Sequence, residues 1–235
     1  MSSNKEGARR IPLDLLALEV ATSYTMDAAG DLESINEFPL RPAPRVFLGR
    51  TREGDRVWFR GDVASTVRTR VRELVATLPA WAGGATGGAV EALQSLLGDA
   101  NRAYAGPSFV FSRPLFPAGA MQIYPSQGAL LHPELVSWAL ELRERKPCFA
   151  VFQAGQAVAI CCSSRNGQQA AAAGVETVAA FRGRGFAALA TEAWAAEVRK
   201  GGRIPFYGTT WENLASQSVA AKLGLELFAE SIHVT

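Results

Sequence analysis

The sequence predicts a mixed α/β fold built on a largely antiparallel sheet, and three observations carry that expectation. Apolar strand-like runs at 148–152, 157–163 and 170–178 follow one another across the tight links Ala154-Gly155 and Asn166-Gly167, which are too short for a helical crossover and read as hairpins. A glycine-bearing turn, Arg182-Gly183-Arg184-Gly185, then leads into a helix over 186–200 in which Leu189, Ala190, Trp194 and Val198 share a face. Gly201 ends that helix, and further strands are expected at 204–209 and after Gly224, separated by a short helix reaching Leu223.

The first half is read in the same way. Ile11, Leu15 and Leu18 recur at helical spacing around Pro12, and 38–44 is proline-rich and extended. Runs at 45–48 and 56–60 flank the turn Arg52-Glu53-Gly54-Asp55 as a hairpin. Asp62 is placed to cap a helix carrying Val67, Val71, Leu74, Val75 and Leu78, and a glycine-rich loop at 82–88 precedes a helix at 89–97. Short strands are expected at 109–111 and 122–124, separated by Pro114 and Pro117. A helix over 133–145 presents Leu135, Trp138, Ala139 and Leu142 and is stopped by Pro147. A boundary near Gly106 divides the chain into an N-terminal α/β region, 1–105, and a second domain, 106–235. The first part either completes the same sheet or shapes an acceptor pocket.

Composition narrows the function classes. The 235 residues are 48% hydrophobic and 20% charged with a formal net charge of +2, and the arginines are scattered among acids, so no basic face for nucleic acid is advertised. The polar start, 1–10, lacks the apolar core of a signal peptide, and no run approaches the roughly 20 apolar residues that cross a bilayer. A cytoplasmic protein without a membrane partner is expected, and a homodimer is compatible with the sequence. Cys148, Cys161 and Cys162 form no C-x-x-C pair, which fits a reducing compartment. Adjacent Cys161 and Cys162 should face opposite sides of a strand. With only His132 and His233, no metal site is expected, and His132-Pro133 reads as a helix entry.

The turn at 182–187 is the candidate site. Glycines let the backbone approach a ligand closely, and the first N–H groups of the following helix lack intrahelical partners, so the element favours an anion. Two cofactor classes use such a turn. Gly183-x-Gly185-x-x-Ala188 imitates a dinucleotide fingerprint, but the antiparallel hairpin before it is the wrong context for a unit of parallel strands. A nucleotide-dependent oxidoreductase remains the alternative on that side.

From Arg182 the pattern is Q/R-x-x-G-x-G/A, and it resembles the pyrophosphate-binding signature of the GNAT superfamily of acyl-CoA-dependent N-acyltransferases. The downstream order also resembles that family: a strand, then Asn213, then a short helix closing on Lys222-Leu223-Gly224-Leu225. The resemblance covers about 148–235. It implies a sheet splayed at an acyl-CoA cleft, with acetyl-CoA as donor, no metal, and a primary amine of a small molecule or peptide attacking directly in a ternary complex.

Residue by residue, the resemblance implies that the N–H groups of Gly183, Arg184, Gly185, Phe186 and Ala187 hold the pyrophosphate, with charge from Arg182 or Arg184. Thr177 and Val178 end the strand that runs beside the pantetheine and supplies a backbone donor to the thioester oxygen. Asn213 touches the cofactor arm, with capping by Asn213 or Ser216 as the plain alternative. The family's tyrosine acid falls on Ala220 here, leaving Tyr207, Ser216 or Ser218 as substitutes by proximity. Glu176, at the end of an apolar strand where partial burial would lift its pKa, is the expected base, Glu212 is the second candidate, and Trp211 is a candidate pocket wall. A non-catalytic acyl-CoA-binding module is the alternative if the chemistry has been lost.

Overall fold

Leu15, Leu16 and Val20 lie buried along one side of the first helix, α1 (Pro12–Ser23), which crosses the face of a large sheet. In this computed structural model, residues 12–37, 39–98 and 102–235 are described; Ile11, Phe38 and the first ten residues lie outside them. After α1 come β1 (Tyr24–Met26), β2 (Leu32–Ile35) and β3 (Arg41–Pro42), a small antiparallel sheet for which the sequence reading had only an extended stretch. Strands this short carry no readable alternation.

The expected hairpin is β4 (Val46–Thr51) with β5 (Gly54–Phe59), followed by α2 (Ser65–Thr77) and α3 (Ala89–Leu97). Asp62 does not cap α2. The cap is Ala64, without a side-chain hydrogen bond, because the Asp62 carboxylate is held by both arms of the Arg60 guanidinium at 2.9 and 2.8 Å. β6 (Ala103–Val110) is longer than the strand expected at 109–111, and it contains Gly106. A Cβ there would lie 1.8 Å from the Thr209 carbonyl oxygen, so the glycine is required by close backbone passage inside a strand.

β7 (Met121–Gln122) is a two-residue edge strand. The helix expected over 133–145 is broken into a 3-10 turn at Pro133–Leu135 and the single turn α4 (Trp138–Glu141). Its inward face is nevertheless the expected one, since Leu135 and Leu142 are fully buried with Trp138 and Ala139 packed beside them. His132 accepts from the Glu134 N–H through its ring at 3.2 Å and caps the 3-10 turn.

The rest follows the sequence closely: β8 (Cys148–Gln153), β9 (Gln156–Asn166), β10 (Ala170–Thr177), α5 (Phe186–Lys200), β11 (Ile204–Gly208), α6 (Leu214–Lys222) and β12 (Glu226–Val234). Among the described residues nine strands form one sheet in the order β5-β4-β12-β6-β11-β10-β9-β8-β7. The N-terminal β4 and β5 therefore extend the same sheet, through β12. Every pairing is antiparallel except β10 with β11. That pair, joined by α5, is one parallel crossover unit that the sequence reading had not assigned. α5 buries Ala190, Trp194 and Val198 on one face of the sheet with Cys161, while Cys162 packs on the other face, as alternation along β9 demands. α1 covers that second face beyond β10, with Ala170, Phe206 and Phe228.

Candidate active site

The parallel pairing of β10 with β11 covers only Ala170–Ile204 to Ala172–Phe206; beyond it the two strands part. A cleft of about 500 Å³ opens there, lined by the ends of both strands, the Gly183–Gly185 turn, the first residues of α5 and one face of α6. Val175 packs toward α5, whereas Ala172 packs toward α1. Glu176, two positions on from Gly174 and four from Ala172, therefore sits on the α1 side. Since both Val175 and Glu176 line it, the cleft passes between the two faces.

The register of β10 shows which backbone groups point into the gap. Val178 donates its N–H to the Val158 carbonyl at 2.9 Å, which brackets the Thr177–Ala159 pair as a non-hydrogen-bonded one. Thr177 thus turns its N–H and C=O away from β9, toward the side where β11 has departed. Its carbonyl accepts from Arg182 Nε at 3.1 Å, while the N–H is left without a strand partner. Thr177 Oγ1 is also buried with no hydrogen-bond partner among the described residues. Val178 is 1% exposed and its N–H is spent within the sheet, so the paired expectation for Thr177 and Val178 reduces to Thr177.

Gly183 and Gly185 have φ of 78° and 85°, the left-handed region open to glycine. A Cβ on either would meet no protein atom within 4 Å, leaving room for a ligand against the backbone. Gly185 starts α5 without any side-chain cap, so the N–H groups of Phe186, Ala187 and Ala188 face the cleft unsatisfied. The helix dipole adds positive potential at the same point. Arg182 and Lys222 border the cleft. Arg184 does not: its guanidinium lies 5.1 Å over the Phe181 ring and donates to the Ala180 carbonyl at 3.3 Å.

Asn213 and Ser216 both line the cleft, and the two roles expected of Asn213 coincide there. Its side chain caps α6 by accepting from the Ser216 N–H at 3.0 Å. Ser216 Oγ in turn lies 2.7 Å from the Tyr207 hydroxyl. Ala220, where the family's tyrosine would fall, is 1% exposed in the core beneath α5 and α6, in the same cluster as the Tyr207 ring. Burial, opposed by the Ser216 hydrogen bond, pushes the Tyr207 phenol up to about 12.

The expected bases fare differently. Glu176 lines the cleft, and its Oε2 accepts from Trp138 Nε1 at 2.7 Å. It is exposed, where partial burial was expected. Glu212 is exposed and lies outside the cleft. Trp211 is turned away, donating from Nε1 to Glu230 Oε1 at 2.8 Å. Ser218, named as a substitute by proximity, lines the cleft, whereas sequence reasoning missed Lys222, although the helical spacing from Ser218 to Lys222 puts both on the face of α6 that carries Ala215.

The arrangement fits a long anionic ligand held by backbone at both ends: uncapped helix N–H groups and two cations for a pyrophosphate, and a free strand N–H beside an orphaned hydroxyl for an acyl carbonyl. The GNAT acetyltransferase family model matches residues 144–230. Among solved structures, a GNAT-family acetyltransferase from Colwellia psychrerythraea is 14% identical and shares the fold with a TM-score of 0.51, over 95% of this chain and 95% of that chain. A GCN5-related N-acetyltransferase-like protein from Streptococcus suis is 16% identical over 83% of this chain and 85% of that chain, with a TM-score of 0.49. A GNAT-family protein from Novosphingobium aromaticivorans is 18% identical over 57% of this chain, with a TM-score of 0.47, and this chain spans 64% of that protein. No curated protein matches the chain at a significant level. Residues 144–230 thus match the GNAT acetyltransferase family model, within a chain that shares the fold of a GNAT-family structure.

Proposed function

We propose that the protein transfers an acetyl group from acetyl-CoA to a primary amine of a small molecule or peptide, by direct attack in a ternary complex. The observation that carries this reading is the coincidence, in one cleft, of the uncapped start of α5 and the unpartnered Thr177 N–H. The first suits a pyrophosphate. The second lies where β10 and β11 part, so an acyl group threaded between the strands would present its carbonyl oxygen to it.

In this reading Thr177 N–H donates to the thioester oxygen and gains strength as negative charge develops there during attack. Asn213 holds α6 against the cofactor arm while capping it. Tyr207, protonated at neutral pH, supplies a proton to the departing thiolate with Ser216 orienting the hydroxyl. The three cysteines are unpaired and buried, in keeping with a reducing compartment such as the cytoplasm.

Thermal unfolding in the presence of acetyl-CoA, NAD⁺ or NADPH tests the assignment. A ligand at 100 times its dissociation constant adds about 2.7 kcal/mol, so acetyl-CoA should raise the transition clearly and the nucleotides should not. Stabilisation by NADPH alone would reverse the choice of cofactor. Stabilisation by acetyl-CoA without thiol release in the presence of amines would favour a binding module.

A further inference from the structure

The second face of the sheet carries a polar cluster that the cofactor cleft does not use. Glu19 of α1 accepts from Ser108 Oγ of β6 at 2.7 Å and from Ser231 Oγ of β12 at 3.3 Å, and the two hydroxyls are 2.9 Å apart. Ser108 and Ser231 are only 2% and 4% exposed. Glu19 itself is half-buried and enters no ion pair with a described residue. Among the described residues the carboxylate is held by hydroxyls alone, without the compensation that burial of a charge ordinarily requires. A cationic ligand would provide it.

The cluster stands beside the far mouth of the cleft. Ser108 is the register partner of Gly208, the residue after Tyr207, which lines the cleft. Gly208 shares the α1 face with Phe206, because Tyr207 packs toward α5. A Cβ at Gly208 would meet nothing within 4 Å. The space over Gly208 on the α1 face, beside the Ser108–Glu19 pair, is therefore open.

We propose that this space receives the acceptor as its primary ammonium, and that Glu19 takes the ammonium proton before attack. The inference rests on the acetyl-CoA reading of the cleft. One proton passes from the ammonium to the Glu19 carboxylate, freeing the nitrogen lone pair. The nitrogen then bonds to the acetyl carbon, the carbon–sulfur bond breaks, and the second nitrogen proton ends on the coenzyme A thiolate by way of the Tyr207 hydroxyl. Products are the amide, the free thiol and protonated Glu19, which returns its proton to solvent.

The ionisation of the surroundings agrees. Burial, partly offset by the Ser108 and Ser231 hydrogen bonds, lifts the Glu19 carboxyl to about 7, near the ideal for a base at neutral pH. The neighbours that face it are Tyr104 of β6 and Tyr24 of β1, both phenols raised chiefly by burial. His233 of β12 lies behind Tyr24, bonded to its hydroxyl through Nδ1 at 3.1 Å and kept neutral by burial, with a pKa lowered to about 3. Arg165 of β9 acts on Tyr24 and His233.

The test follows acetyl transfer from acetyl-CoA to n-butylamine and to phenethylamine as thiol release across pH, with calorimetric acetyl-CoA affinity measured on the same preparations. The wild type should show an acidic limb in kcat near pH 7, well below the ionisation of the free amines. Glu19→Gln should lower kcat by about 10²–10⁴-fold and abolish the limb, leaving acetyl-CoA affinity within about twofold. Ser108→Ala keeps the carboxylate but removes a bond that favours its charged form, so its limb should move to higher pH; this variant decides the matter if Glu19→Gln fails to fold. An unchanged rate and limb in Glu19→Gln, or an unmoved limb in Ser108→Ala, overturns the proposal. So does a wild type that binds acetyl-CoA yet acetylates neither amine. Absence of acetyl-CoA binding by the wild type would instead sink the cleft assignment itself.

Discussion

The Tyr207 hydroxyl of β11 and Ser216 Oγ of α6 lie 2.7 Å apart at the edge of the cleft, a bond from strand to helix. In the family signature a tyrosine on the helix would occupy position 220, and here that position is a buried alanine. Tyr207 fills the same cluster from the opposite side. If this phenol protonates the thiolate, Tyr207→Phe should lower kcat with acetyl-CoA affinity little changed. A thiolate leaves readily, so the loss should not exceed about 10²-fold, the low end for acid–base catalysis. Because its pKa is raised to about 12, the donor form persists through the alkaline range, and the rate should show no fall below that region. Steady-state kinetics of both proteins across pH check this; equal kcat values would remove Tyr207 from the mechanism.

Asn213 caps α6 and borders the cleft, and two substitutions separate these roles. Asn213→Ser preserves a capping oxygen, so folding stability should hold while acetyl-CoA affinity drops. Asn213→Ala should lose both, with a stability cost of about 1 kcal/mol. Urea unfolding beside calorimetry reads the two effects, and full affinity in Asn213→Ser would leave only the cap.

Glu176→Gln keeps an acceptor for the Trp138 N–H, so local geometry should survive. With Glu19 as the base, this substitution should reduce turnover less than about tenfold, against the 10²–10⁴-fold typical of removing a general base. Single-turnover rates at saturating acetyl-CoA make the comparison. A loss within the larger range would return the base role to Glu176.

Stability should depend on pH through Glu19 and His233 with opposite signs. Glu19 has its carboxyl raised from 4.5 to about 7 in the fold; the native state holds a proton that the unfolded chain has released, so stability falls as pH rises between those values. His233 is lowered from 6.5 to about 3; its contribution is present above 6.5 and is lost as pH falls toward 3. Glu19→Gln should therefore gain on the wild type between pH 4.5 and 7, by about 1–2 kcal/mol after solvent screening of a half-buried group, and show a plateau above. Urea midpoints for the two proteins at a series of pH values measure the difference, and parallel curves would refute the shifted carboxyl.

The legible part of the sequence is the part governed by local chemistry. Apolar runs and short turns marked β8, β9 and β10, alanine-rich amphipathicity marked α5, and glycines marked the candidate anion-binding turn. What escaped depends on partners distant in sequence. A boundary is expected near Gly106, yet that glycine sits inside β6, where Thr209 passes close over it. Val178 looked equivalent to Thr177 until register showed that its N–H is consumed by β9. Glu19 gave no signal at all: on α1 it is one polar residue in an apolar run, and only the fold sets it against Ser108 and Ser231.

The central claim is that the start of α5 binds the pyrophosphate of an acyl-CoA, and Ala187→Glu tests it most directly. A glutamate in the first turn favours the helix dipole, so the apo protein should be as stable as the wild type or slightly more so. The same carboxylate would stand where the anion must sit. Calorimetric titration should show acetyl-CoA binding to the wild type and a loss of at least about 100-fold in the variant, equivalent to about 2.7 kcal/mol. Equal affinity in the two proteins, or no binding by the wild type, would contradict the account.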